Sequence, residues 1–191
     1  MIASDRFEQV EIASIEALRA WLAANHARTE GVWLVTWKKA VPAKYVPRAA
    51  VLDELTAAGW TDGLMRRIDG ERVMQLVSPR REDRWAQTDK DRAARLTAAG
   101  RMLPAGLAAI ARSQRAGKWE AMAAVDALAV PADLAAALNA ASALAPWHDL
   151  PPSYRRNVLR WIDRAATAAT RARRIGEAVA ATATGTRLPQ M

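Results

Sequence analysis

Arginine and tryptophan side chains cluster in residues 60–85, and their chemistry is that of an anion-binding site. A guanidinium group matches a carboxylate or a phosphate through paired hydrogen bonds. An indole ring can stack on a base, on another ring or on a guanidinium group. We therefore predict a site for an anionic ligand or an acidic protein. Its candidate ligand-binding residues are Trp60, Asp62, Arg66, Arg80, Arg81 and Trp85.

The stretch GWTDG, residues 59–63, permits two interpretations. An Asp–Gly pair is typical of a turn, because the aspartate side chain bonds to nearby backbone and glycine tolerates positive φ. In the first interpretation, Trp60 packs back onto the preceding helix near Leu55 and Asp62 stabilises the turn. In the second interpretation, the turn presents Asp62 to a ligand.

Acidic side chains accompany these arginines and bear on whether the segment could perform acid–base catalysis. Paired carboxylates act as general acid and base only if their environments separate their pKa values. Surrounding arginines instead keep a carboxylate ionised. We therefore favour ion pairs, identify no catalytic residue, and keep an enzyme with an unrecognised carboxylate–arginine site as an alternative. The acids considered for catalysis are Asp62, Asp69 and Glu71. Four acids lie in the same window as the arginines and would neutralise much of their charge: Asp69, Glu71, Glu82 and Asp83.

A second group of arginines follows the double proline at residues 151–152. Its first members recur every four residues, opposite an apolar face that includes Tyr154, Val158 and Ile162. We favour a solvated helix face for this stripe. The alternative is polyanion binding, for example to nucleic acid, which would show a steep salt dependence. The candidate polyanion-binding residues are Arg156, Arg160, Arg164, Arg171, Arg173 and Arg174.

Composition and motifs exclude several other kinds of site. The sequence has no cysteine, which rules out disulfides, thiolate metal ligands and cysteine nucleophiles. It also has no glycine-rich phosphate loop, dinucleotide-binding motif or serine nucleophile elbow. Its two histidines, His26 and His148, have no partner at metal-ligand spacing. We therefore expect neither a metal nor a cofactor.

The bulk composition indicates a basic globular protein. The 191 residues suit one domain, or one domain and a small lobe. The net charge is +8, and 23 of the 28 basic residues are arginine. No apolar run is long enough to span a membrane, and the first residues lack the basic and then apolar pattern of a signal peptide. We expect a cytoplasmic protein and favour a monomer.

Apolar periodicity predicts an α+β fold with a small antiparallel sheet in the N-terminal part and a predominantly helical C-terminal half. FEQVEI, GVWLVTWKKA and RVMQLV are the predicted strands. The dozen or so residues between Gly59 and Arg72 are predicted to be turns. Helix C-caps are predicted at Gly59, Gly100 and Gly117. We divide the chain into a sheet part at residues 1–85 and a helical part at residues 86–187, packed together as one compact domain.

Several short motifs resemble the YdeI/OmpD-associated family, also described as bacteriocin-protection proteins. The resemblance extends from about Trp33 to Arg174, with a C-terminal segment of the family at about residues 130–187. The motifs are GWTDG at 59–63, SPRR at 78–81 with Trp85, GRMLPAG at 100–106, GKW at 117–119, PPSYRRNVLRWI and TRARRI.

Two stretches depart from the family pattern. Where the family has S-x-W-S-x-x-N, residues 83–89 lack both serines and the asparagine. Where the family has A-K-x-P-E-T-R, residues 165–171 lack the lysine, the proline and the glutamate. The resemblance implies no enzymatic activity. It implies a bacterial, intracellular binding or regulatory module linked to stress or envelope protection.

Overall fold

The structure is a computed structural model that describes residues 6–81 and 84–189. It divides into two compact units, Met1–Ala121 and Met122–Met191. The first unit contains the sheet together with four helices, and the second unit contains helices alone among the residues described. The predicted α+β class and the helical C-terminal half are thereby confirmed.

The sheet has four strands in the order β1-β2-β4-β3. Strand β1 (Gln9–Glu11) pairs parallel with β2 (Val32–Trp37). Strand β4 (Arg72–Pro79) pairs antiparallel with both β2 and β3 (Trp60–Arg67). The sheet is thus mixed, because helix α1 (Ile15–Ala24) lies between the first two strands and provides the long crossover that a parallel pair needs.

The predicted turn at GWTDG is wrong, because β3 begins at Trp60 and continues through both residues of the Asp–Gly pair. A bulge between Asp62 and Met65 accommodates the glycine within the strand. The hairpin turn is instead at the second Asp–Gly pair. There Asp69 Oδ1 accepts hydrogen bonds from the backbone amides of Glu71 and Arg72, at 2.8 and 2.7 Å.

Alternation along the strands gives the sheet two different faces. One face carries Leu34 and Val77, which are buried with residues of α1 and of α2 (Arg48–Ala57). The opposite face carries a smaller cluster around Trp33 and Met74. The principal core of the first unit therefore lies between the sheet and its two N-terminal helices.

Local sequence signals account for several helix ends. Ser14 Oγ accepts a hydrogen bond from the backbone amide of Ala17 and caps α1. The predicted C-cap glycines Gly59, Gly100 and Gly117 all adopt positive φ, at 75°, 64° and 64°. Helices α3 (Gln87–Ala98) and α4 (Pro104–Arg115) complete the first unit, and Gly100 and Gly117 follow their C-terminal ends.

The second unit is built from five helices around its own core. That core is formed by large apolar side chains such as Trp147, Leu134 and Ile162. The long C-terminal pattern is interrupted, because Thr167 Oγ1 accepts from the amide of Thr170 and starts a new helix. The helices are α5 (Ala123–Asp126), α6 (Ala132–Ala140), α7 (Leu144–Asp149), α8 (Pro152–Asp163) and α9 (Ala168–Ala183).

Over the described ranges, the helices lack the combination of length and apolar character that crossing a bilayer requires.

Candidate functional site

Two tryptophans of the predicted ligand site lie in the protein interior. Trp60 is 2% exposed and belongs to the same core cluster as Leu55, as the first interpretation of GWTDG predicted. Its ring meets Trp21 edge-on, with centroids 5.4 Å apart. Trp85 is fully buried in a separate cluster beside Trp119. The two predicted indoles therefore lie in different core clusters and not side by side at one site.

Arg80 is held in place by its own surroundings. Its guanidinium lies 4.0 Å from the ring centroid of Trp85, and its Nη2 is 3.1 Å from Asp89 Oδ2. A cation that is both stacked and ion-paired has its charge already compensated. Arg81 donates a hydrogen bond to the backbone carbonyl of Thr29. Both side chains thus tie the end of β4 to neighbouring segments.

Arg66 and Asp62 lie on different faces of the sheet. Arg66 lies across from Met74 in the register, and its guanidinium is 5.2 Å from the ring centroid of Trp33. The six predicted residues consequently occupy several separate places in the first unit. Two of the acids predicted to neutralise them, Glu82 and Asp83, lie outside the described residues.

Asp62, in strand β3, connects this strand to helix α2 through its side chain. Its Oδ2 accepts a hydrogen bond from Arg48 Nη2 at 2.8 Å and one from Gln75 Nε2 at 2.8 Å. Arg48 is the first residue of α2, and Gln75 is a buried residue of β4. Neither contact was anticipated from the sequence, which placed Asp62 in a turn.

Both partners of Asp62 line a cavity of about 280 Å³ in the first unit. The cavity lies between the sheet, α2 and the segment that joins them. Its floor is apolar, with Leu34, Val51 and Val73 among its members. The other described lining residues are Thr36, Trp37, Lys38, Lys39, Tyr45, Val46, Arg48, Met65 and Gln75.

Three of these lining residues are cationic, and none of the described ones is a carboxylate. Lys38 Nζ donates to the backbone carbonyls of Asp69 and Gly70, at 2.8 and 3.1 Å. Carbonyl oxygens orient an ammonium group but do not neutralise its charge. Lys39 lies exposed, with Nζ 6.0 Å from the Tyr45 ring centroid. The positive charge at the cavity is therefore only partly compensated, by the ion pair of Arg48 with Asp62.

The hairpin turn that holds Lys38 is itself electrostatically stabilised. Hydrogen bonds from the backbone amide of Glu71 and from the side chain and amide of Arg72 lower the pKa of Asp69. The carboxylate therefore stays ionised and keeps the turn closed at neutral pH. Its carbonyl groups then face Lys38, which places the ammonium group beside the cavity.

Sequence reasoning missed this site, although one signal pointed to it. Only five lysines occur in the chain, and three of them, Lys38, Lys39 and Lys44, lie within seven residues that begin at the end of a predicted strand. Lys44 Nζ is 4.3 Å from the ring centroid of Trp37, so the segment folds back on its own strand. In an arginine-rich chain this local concentration of lysine marks residues 38–44 as distinct.

A neighbouring cavity of about 480 Å³ has a different electrostatic character. Its lining includes the acids Asp53 and Glu54 as well as Arg19 and Arg101. Glu54 Oε1 accepts from both arginines, at 2.9 and 2.5 Å, and Asp53 is paired with Arg95 at 2.6 Å. Cations and anions there are already matched, so this cavity has no preference for an anion.

The C-terminal arginines are largely paired within the second unit. Arg156 and Arg160 share Asp126, with nitrogen–oxygen distances of 3.8 and 3.2 Å. Arg171 binds Asp133 through two nitrogen atoms, at 2.6 and 2.9 Å. These contacts compensate much of the predicted stripe.

The remaining members of the stripe differ from one another. Arg173 pairs with Glu177 one turn along α9. Arg174 lies 5.2 Å from the ring centroid of Trp161 and donates to the carbonyl of that residue. Arg164 is exposed at the end of α8. Most of the predicted stripe on α8 and α9 is therefore bound to neighbouring acids or carbonyl groups and does not form a row of uncompensated cations.

Family comparison divides the chain in a similar place to the structure. Residues 10–109 match a family described as a domain of unknown function, DUF8412. Residues 127–185 match the family described as bacteriocin-protection, YdeI or OmpD-associated. The second match confirms the family recognised from the sequence, in the C-terminal part of the chain. The GWTDG and SPRR motifs, in contrast, fall within the first match.

No curated protein and no solved structure matches the chain. The family assignment therefore rests on the two matched segments, of which the first covers just over half of the chain. The chain belongs to the DUF8412 family through residues 10–109, and its residues 127–185 match the family described as bacteriocin-protection, YdeI or OmpD-associated.

Proposed function

We propose that the first unit is a non-enzymatic binding module for a small amphipathic anion, which occupies the cavity of about 280 Å³. The observation that carries this proposal is the combination of an apolar floor with three cations and no described carboxylate in the lining. An apolar body would be buried against Leu34, Val51 and Val73. Its carboxylate or phosphate would meet Lys39 and Arg48.

The size of the cavity restricts the ligand. Sites for drug-sized molecules measure roughly 300–1,000 Å³, and this cavity lies just below that range. A medium-chain or single-ring acid fits such a volume, whereas a dinucleotide does not. Specificity would come from few polar groups, because most of the described lining is apolar or cationic.

A series of ligands with one body and different head groups tests the proposal. Octanoate, octyl phosphate, octanol and octylammonium are titrated into the protein by isothermal calorimetry. The two anions should bind, octanol should bind more weakly, and octylammonium should not bind measurably. Equal binding of all four compounds, or binding of none, would contradict the proposal.

Variants of the protein locate the binding. The double substitution Lys39→Ala, Arg48→Ala should lower octanoate affinity at least tenfold, since each nearby charge contributes about 1 kcal/mol in a hydrated site. The matched control is the double substitution Arg115→Ala, Lys118→Ala, which also removes two cations, at exposed residues that do not line the cavity. If the control lowers affinity as much as the Lys39→Ala, Arg48→Ala variant, net charge and not the cavity attracts the ligand.

We further propose that this binding serves a protective role in the cytoplasm. The description of the family matched by residues 127–185 connects it with bacteriocin protection. The anion could then be a regulatory signal for that response. Deleting the gene and restoring it with the Lys39→Ala, Arg48→Ala variant would test the link, because a functional cavity requires that the variant fails to restore bacteriocin tolerance.

A further inference from the structure

We propose that β3 accepts an extended acidic segment of a partner protein as an additional strand, with one apolar side chain of that segment entering the cavity. This inference rests on the proposed function, because the same cavity and cations would hold the segment. It adds a backbone interaction that a small anion does not use.

The position of β3 provides the first argument. It is an edge strand, and over the described ranges it pairs only with β4. Its outer backbone groups are therefore available for a further strand. Two successive residues at this edge, Leu64 and Met65, are 47% and 44% exposed. Natural edges are usually blunted by charge or by bulges, and β3 has a bulge between Asp62 and Met65 and two arginines at its end. The exposed apolar pair lies between these features and leaves the middle of the edge attractive to a further strand.

Met65 connects the edge to the cavity. It lies across from Gln75 in the register, and both residues line the cavity. Arg67 lies across from Val73, another lining residue, so its side chain is on the same face. In a strand added beside β3, alternate side chains would lie on this face. One of them would be next to Met65 at the cavity, and its second neighbours would be near the cations.

Charge decides which partner fits. Arg67, Lys39 and Arg48 all contribute positive charge to this face or to the cavity beside it. Arg67 Nε donates to the backbone carbonyl of Asp69 at 3.0 Å, a contact that leaves its charge uncompensated. A glutamate or aspartate two residues from the apolar side chain would lie near Arg67 at one end of this face. The residue at the other end would lie near Asp62, whose charge is already paired with Arg48.

A second copy of this chain is a poorer occupant of the edge. Two β3 strands paired antiparallel about the exposed Leu64–Met65 pair would place Arg67 of one copy near Asp62 of the other. Each Asp62 is already bonded to Arg48 and Gln75, so a second copy brings no uncommitted carboxylate to this edge. The charge pattern therefore favours an acidic partner over self-association.

A designed peptide tests the inference directly. The probe is the acetylated and amidated heptapeptide Thr-Glu-Thr-Leu-Thr-Glu-Thr, which places one leucine between two glutamates on the same face. Its affinity is measured by calorimetry beside a peptide in which lysine replaces both glutamates. The glutamate peptide should bind at least tenfold more tightly than the lysine peptide. Equal affinities would overturn the inference.

Backbone methylation distinguishes strand addition from simple capture of a side chain. Two further peptides carry N-methyl groups on either the odd or the even residues. An added strand directs alternate amides toward β3, so one methylation pattern should abolish binding and the other should preserve it. If both methylated peptides bind like the parent, no strand is added and the inference is wrong.

The outcomes separate this inference from the proposed function. Binding of octanoate without binding of the heptapeptide would overturn the inference and leave the small-anion function intact. Failure of both ligands would overturn both. The substitution Met65→Asp should weaken the glutamate peptide at least tenfold, whereas Leu103→Asp, at an equally exposed leucine outside the sheet, should not. Circular dichroism verifies that both variants are folded.

Discussion

Asp62 Oδ2 lies 2.8 Å from Arg48 Nη2, and this ion pair places a carboxylate beside one of the three cations of the cavity. The same oxygen accepts a hydrogen bond from Gln75 in the sheet. Asp62 therefore holds the side chain of Arg48 and at the same time reduces the positive charge that a ligand would meet. An anionic ligand in the cavity would compete with Asp62 for this guanidinium.

We predict that Asp62→Asn increases the affinity for octanoate. The amide keeps a hydrogen-bond acceptor for Gln75 but no longer neutralises Arg48. Removing one opposing charge near the site should strengthen binding by about 1 kcal/mol, roughly fivefold. Isothermal calorimetry measures the change. The control Asp91→Asn alters net charge equally at an exposed helical residue that does not line the cavity, and a similar gain in that variant would disprove the specific competition.

The prediction for Arg80 and Arg81 separates structural from ligand-binding roles. Arg80→Ala should lower the free energy of unfolding by about 2 kcal/mol or more, because it removes a charge-assisted hydrogen bond to Asp89 and the stacking on Trp85. Arg81→Ala, at an exposed residue, should cost less than about 1 kcal/mol. Urea denaturation measures both values.

Neither substitution should change octanoate affinity, since neither residue lines the cavity. A loss of octanoate binding in folded Arg81→Ala would instead return the ligand site to the arginines after β4.

Gly106 is predicted to be intolerant of a side chain. A Cβ atom there would clash with the carbonyl oxygen of Ala57 and lie 3.0 Å from its carbonyl carbon. Gly106→Ala should therefore force α4 away from α2 and destabilise the first unit by about 1–3 kcal/mol. Urea denaturation followed by circular dichroism measures this change.

Gly176→Ala is the matched control and should have the opposite sign. Gly176 lies within α9, and a Cβ atom there meets nothing within 4 Å. Alanine should stabilise that helix by roughly 0.5–1 kcal/mol. Equal destabilisation by both substitutions would show that the contact between Gly106 and Ala57 is not the cause.

The ion pair of Asp133 with Arg171 predicts a pH dependence in the second unit. Hydrogen bonds from the Arg171 side chain lower the pKa of Asp133 in the folded state. Because the folded pKa is below the unfolded one, the stabilisation is complete above the unfolded pKa of about 3.9. It is lost as the pH falls through the folded pKa.

Asp133→Asn isolates this contribution. The variant should be less stable than the parent at pH 7, and the difference in unfolding free energy should shrink toward zero as the pH falls below about 4. Urea denaturation at a series of pH values measures it. A difference that stays constant down to pH 2.5 would show that the carboxylate charge does not contribute.

Local features of this fold could be predicted from local signals. The helix capped by Ser14 and the C-caps at Gly59, Gly100 and Gly117 depend on side chains and backbone angles within a few residues. Strand β2 could be predicted because five of its six residues are β-branched or aromatic. The family of the C-terminal segment was recognisable from short motifs for the same reason.

Strand β3 was missed because its sequence favours a different local structure. An Asp–Gly pair is a strong turn signal, yet here it lies within a strand and forms a bulge. Pairing with β4 supplies the hydrogen bonds that stabilise the extended conformation of this segment. The hydrogen-bonded pairing of β3 with β4 thus outweighed the local turn preference of the Asp–Gly pair. Strand propensity commonly depends on such tertiary context.

By itself, the sequence determined the α+β class, most element positions, the caps and the surplus of arginine over acid. Only the tertiary structure decided which arginines form ion pairs with acids of the same chain. Arg101 and Glu54, for example, are paired although they are 47 positions apart. The cavity has the same origin, since its lining comes from β2, the following segment, α2 and the β3–β4 hairpin. Charged and apolar side chains that are distant in the chain become neighbours through packing. Local composition does not predict which of them will meet.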